Sequence, residues 1–145
     1  MTEIKTEITI HAPIDKIWEV LTNFNAYPTW NPFVQAVKGK AGPDERLVIT
    51  INPPGKKKMI FKPKIISWEE EKEFSWLGGL FIPGIFEGHH CFELRKLADN
   101  RVQFVHVEYF SGILKKPIFK AIADATRLDF EQMNQALKIR CELEP

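Results

Sequence analysis

The stretch that decides the fold is KKPIFKAIADATRLDFEQMNQALKIRCE, residues 115–142. Apolar residues recur at helical spacing along one side of it, from Phe119 through Phe130 to Cys141, and charged residues such as Lys120 and Glu131 mark the opposite side. The pattern predicts a helix of roughly 28 residues, against ~11–12 for an average globular helix. A helix of that length needs a long trough to lie in, and a curved antiparallel sheet supplies one.

The chain before residue 33 predicts one strand and one or two short helices. Residues 4–10 alternate between an apolar face and a polar face, as a strand with one buried side does. Pro13 suits the first turn of a helix, and apolar residues from Ile14 to Leu21 follow at helical spacing. A second short helix is expected within residues 23–27, before Pro28 and Pro32 interrupt the chain.

From residue 33 to about residue 111 the sequence predicts strands. Asn52 to Gly55 form a strong turn signal. Because of Pro63, the strand expected at 59–66 should be interrupted, bulged or at the edge of the sheet. A further strand is expected at 69–76, and the apolar, glycine-rich residues 77–84 are expected to form a loop that is a candidate lid. Two long strands, 85–97 and 101–111, are joined by a short hairpin loop at 98–100.

Length and composition predict one soluble domain spanning residues 1–145. Lys plus Arg number 20 and Asp plus Glu 19, so the net charge of +1 argues against a nucleic-acid partner. No segment has the character of a signal peptide or a membrane span, so no stable membrane insertion is expected. Two cysteines, Cys91 and Cys141, predict free thiols in a reducing cytoplasm rather than a disulfide scaffold.

This order of elements, with two local motifs, resembles one superfamily. Residues 14–24 read I-x-x-I-W-E-V-L-T-N-F and residues 27–33 read Y-P-T-W-N-P-F. Over essentially its whole length the chain resembles START-like proteins, and within them the polyketide cyclase/dehydrase and lipid-transport group called SRPBCC. The resemblance implies an α+β helix-grip fold, a curved antiparallel sheet of about seven strands around the long C-terminal helix, with a cavity between them. Members carry lipids, bind hormones or polyketides, cyclise, hydrolyse or assist chaperones, so no single function is implied.

Three polar groups are expected to face that cavity. On the last two strands the even-numbered positions carry the larger apolar side chains, and His90, His106 and Glu108 share that parity. A loop at 98–100 pairs positions whose numbers sum to about 198, which sets His90 opposite Glu108 and His106 opposite Phe92. A slip of two residues would instead oppose His90 and His106. Opposed side chains lie ~4.5–5.5 Å apart at Cβ, within reach of a hydrogen bond.

The chemistry of this trio has three possible readings. A buried carboxylate needs a partner, and a histidine beside it gains proton affinity, although burial acts in the opposite direction. The trio could thus hold one proton near neutral pH and act as acid and base on a carbonyl or enol ligand. It could instead orient the polar end of a ligand, or the three groups could simply satisfy one another and a few waters. Adjacent His89 and His90 face opposite sides of a strand, and no metal spacing, phosphate loop or dinucleotide motif is present, so neither metal nor cofactor is expected.

The sequence therefore predicts a protein that binds or transports a small hydrophobic molecule, such as a lipid, polyketide, isoprenoid or aromatic compound. The alternatives are a cofactor-free cyclase- or dehydratase-like enzyme that uses His90, His106 and Glu108, and a protein-interaction module. The oligomeric state is left open. The residues expected to contact the ligand are Trp30, Phe61, Phe74, Trp76, Phe86, His90, Phe92, Phe104, His106, Glu108, Phe110, Phe130 and Met133.

Overall fold

The chain forms eight strands and two α-helices within the residues that the computed structural model describes, which are 2–52, 57–80 and 84–143 without the side chain of Leu80. The helices are α1 (Ile14–Thr22) and α2 (Lys115–Leu143), and a 3-10 helix covers Phe24–Thr29. The strands are β1 (Glu3–Ile10), β2 (Val34–Lys38), β3 (Val48–Ile51), β4 (Met59–Phe61), β5 (Lys64–Glu69), β6 (Glu73–Leu80), β7 (Phe86–Ala98) and β8 (Arg101–Ser111).

The strands divide into two antiparallel sheets. Five strands pair in the order β1-β8-β7-β6-β5, and three pair in the order β2-β3-β4. The break falls at Pro63 between β4 and β5, where the sequence predicts an interruption because proline lacks the N–H that a central strand donates. Two hydrogen bonds still join the sheets there, from Leu47 N to Pro63 O at 2.9 Å and from Ile65 N to Glu45 O at 2.8 Å. The eight strands therefore form one curved wall in two parts, rather than a single sheet of about seven.

Helix α2 lies along this wall and confirms the prediction made from residues 115–142. Its buried residues are Phe130, Met133, Asn134, Leu137 and Cys141, all in its second half. They pack against β1, β8 and helix α1. Burial of such an apolar stripe supplies most of the stability of a helix in a protein.

The hairpin of β7 and β8 has the predicted register. His90 lies opposite Glu108, and Phe92 lies opposite His106. The even-numbered residues of β7 face the core, because Phe86, His90 and Phe92 are all buried there.

Two expectations about the region before this hairpin were wrong. The strand expected at 69–76 is instead a turn followed by β6, with Glu71 at a φ of 61° and Lys72 N donating to Glu69 O at 2.9 Å. Glu70 in this turn accepts hydrogen bonds from the indole nitrogens of Trp18 and Trp68, which fixes the turn against α1.

The lid expected at 77–84 is, as far as residue 80, part of a strand. β6 continues to Leu80 and pairs with β7 along that length. Residues 81–83 lie outside the described residues, as does most of the turn signal at 52–55. The glycines of this segment serve close packing, because a β-carbon on Gly78 would lie 3.1 Å from the Pro63 side chain.

The contribution of α2 packing to stability can be measured by replacing a buried residue of the helix with alanine. We expect Leu137→Ala, at a side chain with no exposed surface, to lower the free energy of unfolding by about 2–5 kcal/mol, because it removes buried methyl groups and leaves a void. The matched control is Ile139→Ala on the exposed side of α2, where 55% of the residue is exposed and we expect a change within about 0.5 kcal/mol. Urea unfolding followed by circular dichroism measures both, and equal effects would contradict the packing described here.

Candidate ligand cavity

A cavity of about 450 Å³ lies between the first half of α2 and the inner faces of both sheets. This volume is in the ~300–1,000 Å³ range of small-molecule sites. The residues that line it are Phe33, Val34, Ile49, Ile51, Met59, Phe61, Pro63, Trp76, Gly78, Gly79, Phe86, Gly88, His90, Glu108, Phe110, Ile118, Ile122, Ala125, Thr126, Leu128, Asp129 and Gln132. Most of these side chains are apolar, so the cavity suits a hydrophobic molecule.

Two glycines leave the floor of the cavity without side chains. Gly78 of β6 and Gly88 of β7 are directly paired across the sheet, and both line the cavity. A β-carbon on Gly88 would collide with the carboxyl group of Glu108, which lies over that position. The two glycines therefore leave room for the Glu108 carboxyl group and the Pro63 side chain at this part of the cavity wall.

Of the thirteen residues expected to contact a ligand, six line the cavity. They are Phe61, Trp76, Phe86, His90, Glu108 and Phe110. The other seven are not among the lining residues: Trp30, Phe74, Phe92, Phe104, His106, Phe130 and Met133. All of these except the half-buried Trp30 are buried in the core, and Trp30 packs on Tyr27 with ring centroids 5.1 Å apart. The prediction that a side chain faces inward therefore did not show whether it would line the cavity or pack in the core.

The sequence analysis placed the α2 side of the cavity at Phe130 and Met133, whereas the structure places it earlier in the helix. Ile118, Ile122 and Thr126 line it, each four residues after the one before, so they share one side of the helix. That spacing was visible in the sequence, but it predicts core packing and a cavity wall equally well. Ile49 and Ile51 of β3 also line the cavity. Their alternation in the sequence indicates inward-facing side chains, but does not show that they border a cavity.

His90 and His106 form a hydrogen-bonded pair at the inner end of the cavity. Their Nε2 atoms are 2.6 Å apart. Although His90 lies opposite Glu108 in the register, its hydrogen bond runs diagonally to His106, so the predicted contact of His90 with Glu108 is corrected. The Phe130 ring from α2 stacks on both imidazoles, with centroid distances of 4.0 Å to His106 and 5.0 Å to His90.

Helix α2 completes this polar cluster with Asn134. Asn134 Oδ1 lies 2.8 Å from His106 Nδ1, and its Nδ2 donates to Thr6 Oγ1 at 2.8 Å. Asn134 is 2% exposed, and the sequence reasoning missed it because a single polar residue within a long helix gives no local signal of its partner. Its position on the buried stripe, four residues after Phe130, was the one available indication.

Burial favours the neutral form of all three predicted groups. It lowers the pKa of His90 well below its usual value and lowers that of His106 to about 3. Desolvation of the half-buried Glu108 raises its pKa to about 8, which favours the carboxylic acid form at neutral pH. Of the two opposing effects named in the sequence analysis, desolvation is the larger for every member of the trio.

Among the described residues, no lysine or arginine lines the cavity. Its two acidic residues are Glu108 and Asp129. A bound anion would therefore have no counter-ion in the wall, whereas a neutral polar group could accept a hydrogen bond from protonated Glu108.

Metal binding finds no support in this geometry. The two Nε2 atoms at 2.6 Å are too close to hold a metal between them, since each metal–nitrogen bond is ~2.0–2.1 Å long. In the part of the chain that the structure describes, no group of three or more histidine, cysteine or acidic residues could hold a metal ion. Neither helix in the described ranges combines the length and the apolar character needed to cross a membrane.

Comparison with solved structures shows the same architecture. A START superfamily protein from Mycobacterium smegmatis is 17% identical with a TM-score of 0.73, and the match covers 97% of each chain. The Zhui aromatase/cyclase from Streptomyces sp. R1128 is 14% identical with a TM-score of 0.71, over 95% of this chain and 94% of that one. A hypothetical protein from Helicobacter pylori is 14% identical with a TM-score of 0.79, over 97% of this chain and 88% of that one. At these identities the likeness shows the fold, an α+β helix-grip fold of START type.

Comparison with sequences identifies the family. No curated protein matches the chain. The family model described as polyketide cyclase / dehydrase and lipid transport matches residues 1–142. With this match over nearly its whole length and a START-type helix-grip fold around an apolar cavity, the chain belongs to the polyketide cyclase/dehydrase and lipid transport family.

Proposed function

We propose that this protein binds a small hydrophobic molecule in the cavity under α2. The observation that carries the proposal is the cavity itself, about 450 Å³ of space with a mainly apolar wall. Small-molecule sites are concave, mainly apolar pockets with a few polar groups, and this pocket has all three properties. The family supports the proposal, because its members share a ligand-binding fold.

The polar end of the ligand is held at the floor of the cavity. Glu108 and His90 are the polar side chains of the predicted trio that line the cavity, and both are neutral at pH 7 because of burial. Protonated Glu108 donates a hydrogen bond to an oxygen of the ligand. We therefore propose an uncharged ligand that carries a hydrogen-bond acceptor, in the class of lipids, polyketides, isoprenoids and aromatic compounds, and assign the seven core residues no contact with it.

A second candidate function is cofactor-free acid–base catalysis. It is favoured by the proximity of an undissociated carboxylic acid, Glu108, to a neutral imidazole, His90, on neighbouring strands of one apolar cavity. The acid would protonate a carbonyl oxygen of the ligand while the imidazole removes a proton from carbon. His106, which does not line the cavity, would act only through His90.

The binding proposal predicts that a bulky residue in the cavity wall blocks a probe. We expect Ile122→Trp to weaken binding of the uncharged fluorophore N-phenyl-1-naphthylamine at least about tenfold, because the indole occupies space that the probe needs. Ile139→Trp, at an exposed position of the same helix, should leave the affinity unchanged. Fluorescence titration measures both affinities, and equal affinities in the two variants would place the probe outside the cavity.

The catalytic candidate predicts a mass difference between retained ligands. If Glu108 is a catalytic acid, Glu108→Gln should retain a substrate that differs in mass from the molecule held by the unaltered protein, for example by one water if the reaction is a dehydration. If the protein only binds, both should retain the same molecule. Native mass spectrometry of each purified protein, followed by release of the ligand, separates these outcomes, with Glu131→Gln on the exposed side of α2 as the control.

The protonation of Glu108 predicts a pH-dependent stability. Between the unfolded pKa of 4.5 and the folded pKa of about 8, the folded state holds a proton that the unfolded state has lost, so the free energy of unfolding decreases as pH rises through this window. The slope from one proton is at most about 1.4 kcal/mol per pH unit.

We expect Glu108→Gln to remove this slope, so that the variant gains stability relative to the unaltered protein from pH 6 to pH 8. Urea unfolding at several pH values measures the difference. The two buried histidines contribute equally to both proteins and cancel. A parallel pH dependence of the two proteins would show that Glu108 is already ionised at neutral pH.

A further inference from the structure

A continuous chain of buried hydrogen bonds runs from strand β1 to the cavity. It passes from Thr6 to Asn134, then to His106 and finally to His90, with donor–acceptor distances of 2.8, 2.8 and 2.6 Å. All four residues are at most 6% exposed. Buried polar groups are almost always paired, so the protons of this chain must be arranged to satisfy every link.

The hydroxyl of Thr6 fixes the direction of the chain. It has one proton, which it donates to the carbonyl oxygen of His106 at 3.1 Å. Toward Asn134 the same oxygen can then only accept a hydrogen bond, so the amide nitrogen of Asn134 faces Thr6. The amide oxygen of Asn134 consequently faces His106 Nδ1, which must be the donor at 2.8 Å.

The donor at His106 Nδ1 determines which nitrogen carries the proton in both imidazoles. A neutral imidazole carries one N–H, so His106 with a proton on Nδ1 has a bare Nε2. That nitrogen accepts from His90, whose single proton is therefore on Nε2 at 2.6 Å. Both rings are neutral at pH 7 because burial lowers their pKa values, so neither holds a second proton. His90 Nδ1 is thus left without a proton.

This bare nitrogen belongs to the one imidazole of the pair that lines the cavity. Within the described ranges, His90 Nδ1 has no hydrogen-bond partner, since the hydrogen bond of this ring is the one from Nε2 to His106. Its neighbours are rings: Phe92 stacks on it at a centroid distance of 4.6 Å, and Trp76 lies at 5.3 Å. Glu108 stands directly across the strand pair.

We propose that Asn134 is a positioning residue that holds His90 in the Nε2–H tautomer, so that His90 Nδ1 offers a hydrogen-bond acceptor to the cavity opposite the donor Glu108. The tautomer assignment stands independently of ligand binding. Its consequence for recognition rests on the proposed function: the preferred ligand carries a donor, such as a hydroxyl, close to its acceptor.

Nitrogen NMR of ¹⁵N-histidine-labelled protein at pH 7.5 tests the tautomers without a ligand. His90 should show a protonated Nε2 and an unprotonated Nδ1, and His106 should show the reverse. His11, which is exposed, supplies the signals of a surface histidine as an internal reference. A proton on His90 Nδ1 would overturn the proposal.

Variants of Asn134 separate positioning from mere packing. Asn134→Leu removes the acceptor for His106 Nδ1–H, so the His90 signals should shift toward a mixture of tautomers or the Nδ1–H form. Asn134→Asp keeps an oxygen acceptor for His106 Nδ1–H and should keep the His90 tautomer at a pH where the ¹⁵N signals show His106 to be neutral. Gln135→Leu, at the adjacent exposed position, should change neither. An unchanged His90 tautomer in Asn134→Leu would overturn the positioning role. If Asn134→Leu fails to fold, loss of the His90 tautomer in Asn134→Asp would overturn it instead.

Two matched ligands test the recognition step. We expect 1-naphthol, which donates a hydroxyl proton, to displace N-phenyl-1-naphthylamine at about 2- to 10-fold lower concentration than 1-methoxynaphthalene, which cannot donate. This difference should disappear in Asn134→Leu. If the probe itself does not bind, the binding proposal fails; if the probe binds and neither compound displaces it, the inference about His90 recognition is wrong. If both displace it equally from the unaltered protein, binding stands and the inference about His90 is wrong.

Discussion

The two halves of helix α2 make unequal contact with the sheets, and the cavity depends on that difference. From Phe130 to Cys141 the helix buries its apolar stripe against β1, β8 and α1. Before Phe130, α2 is only partly buried: Phe119 packs on Phe110, and Ile118 and Ile122 border the cavity. A helix is stiff over this length, so firm packing of its second half helps to hold the first half above the cavity. The stability of the fold and the presence of the cavity therefore come from different parts of one element.

The elements that the sequence predicted well are those with a clear period. The alternation along β7 and β8 and the short loop between them determined the register, because a slip of one residue would have turned buried faces outward. The turn at Glu70–Lys72 was missed because Glu71 adopts a positive φ that usually requires glycine or asparagine, so the sequence carried no turn signal there. The end of β6 was missed because its glycines suggested a loop. In the structure they allow Pro63 and strand β7 to pack closely against β6.

The sequence predicted which side chains face the interior, but not which of them border the cavity. Parity alone placed His90, His106 and Glu108 on the inner face, yet it could not tell where along β7 and β8 the interior becomes solid. That boundary runs between the two histidines: Glu108 and Phe110 border the cavity, whereas Phe104 and His106 lie in the core. Asn134 reaches this boundary from a helix 28 residues away in sequence, a contact that no local pattern encodes.

Gly88 couples two properties of the cavity that would otherwise vary separately. The carboxyl group of Glu108 occupies the place that a side chain on Gly88 would take. Any larger residue there would compete with the Glu108 carboxyl group for the same space, so one position influences both the volume of the cavity and the placement of its acid. A homologue with a larger residue in place of Gly88 is therefore expected to differ in both the volume of its cavity and the position of its acidic side chain. The size and the polarity of its preferred ligand should then change together.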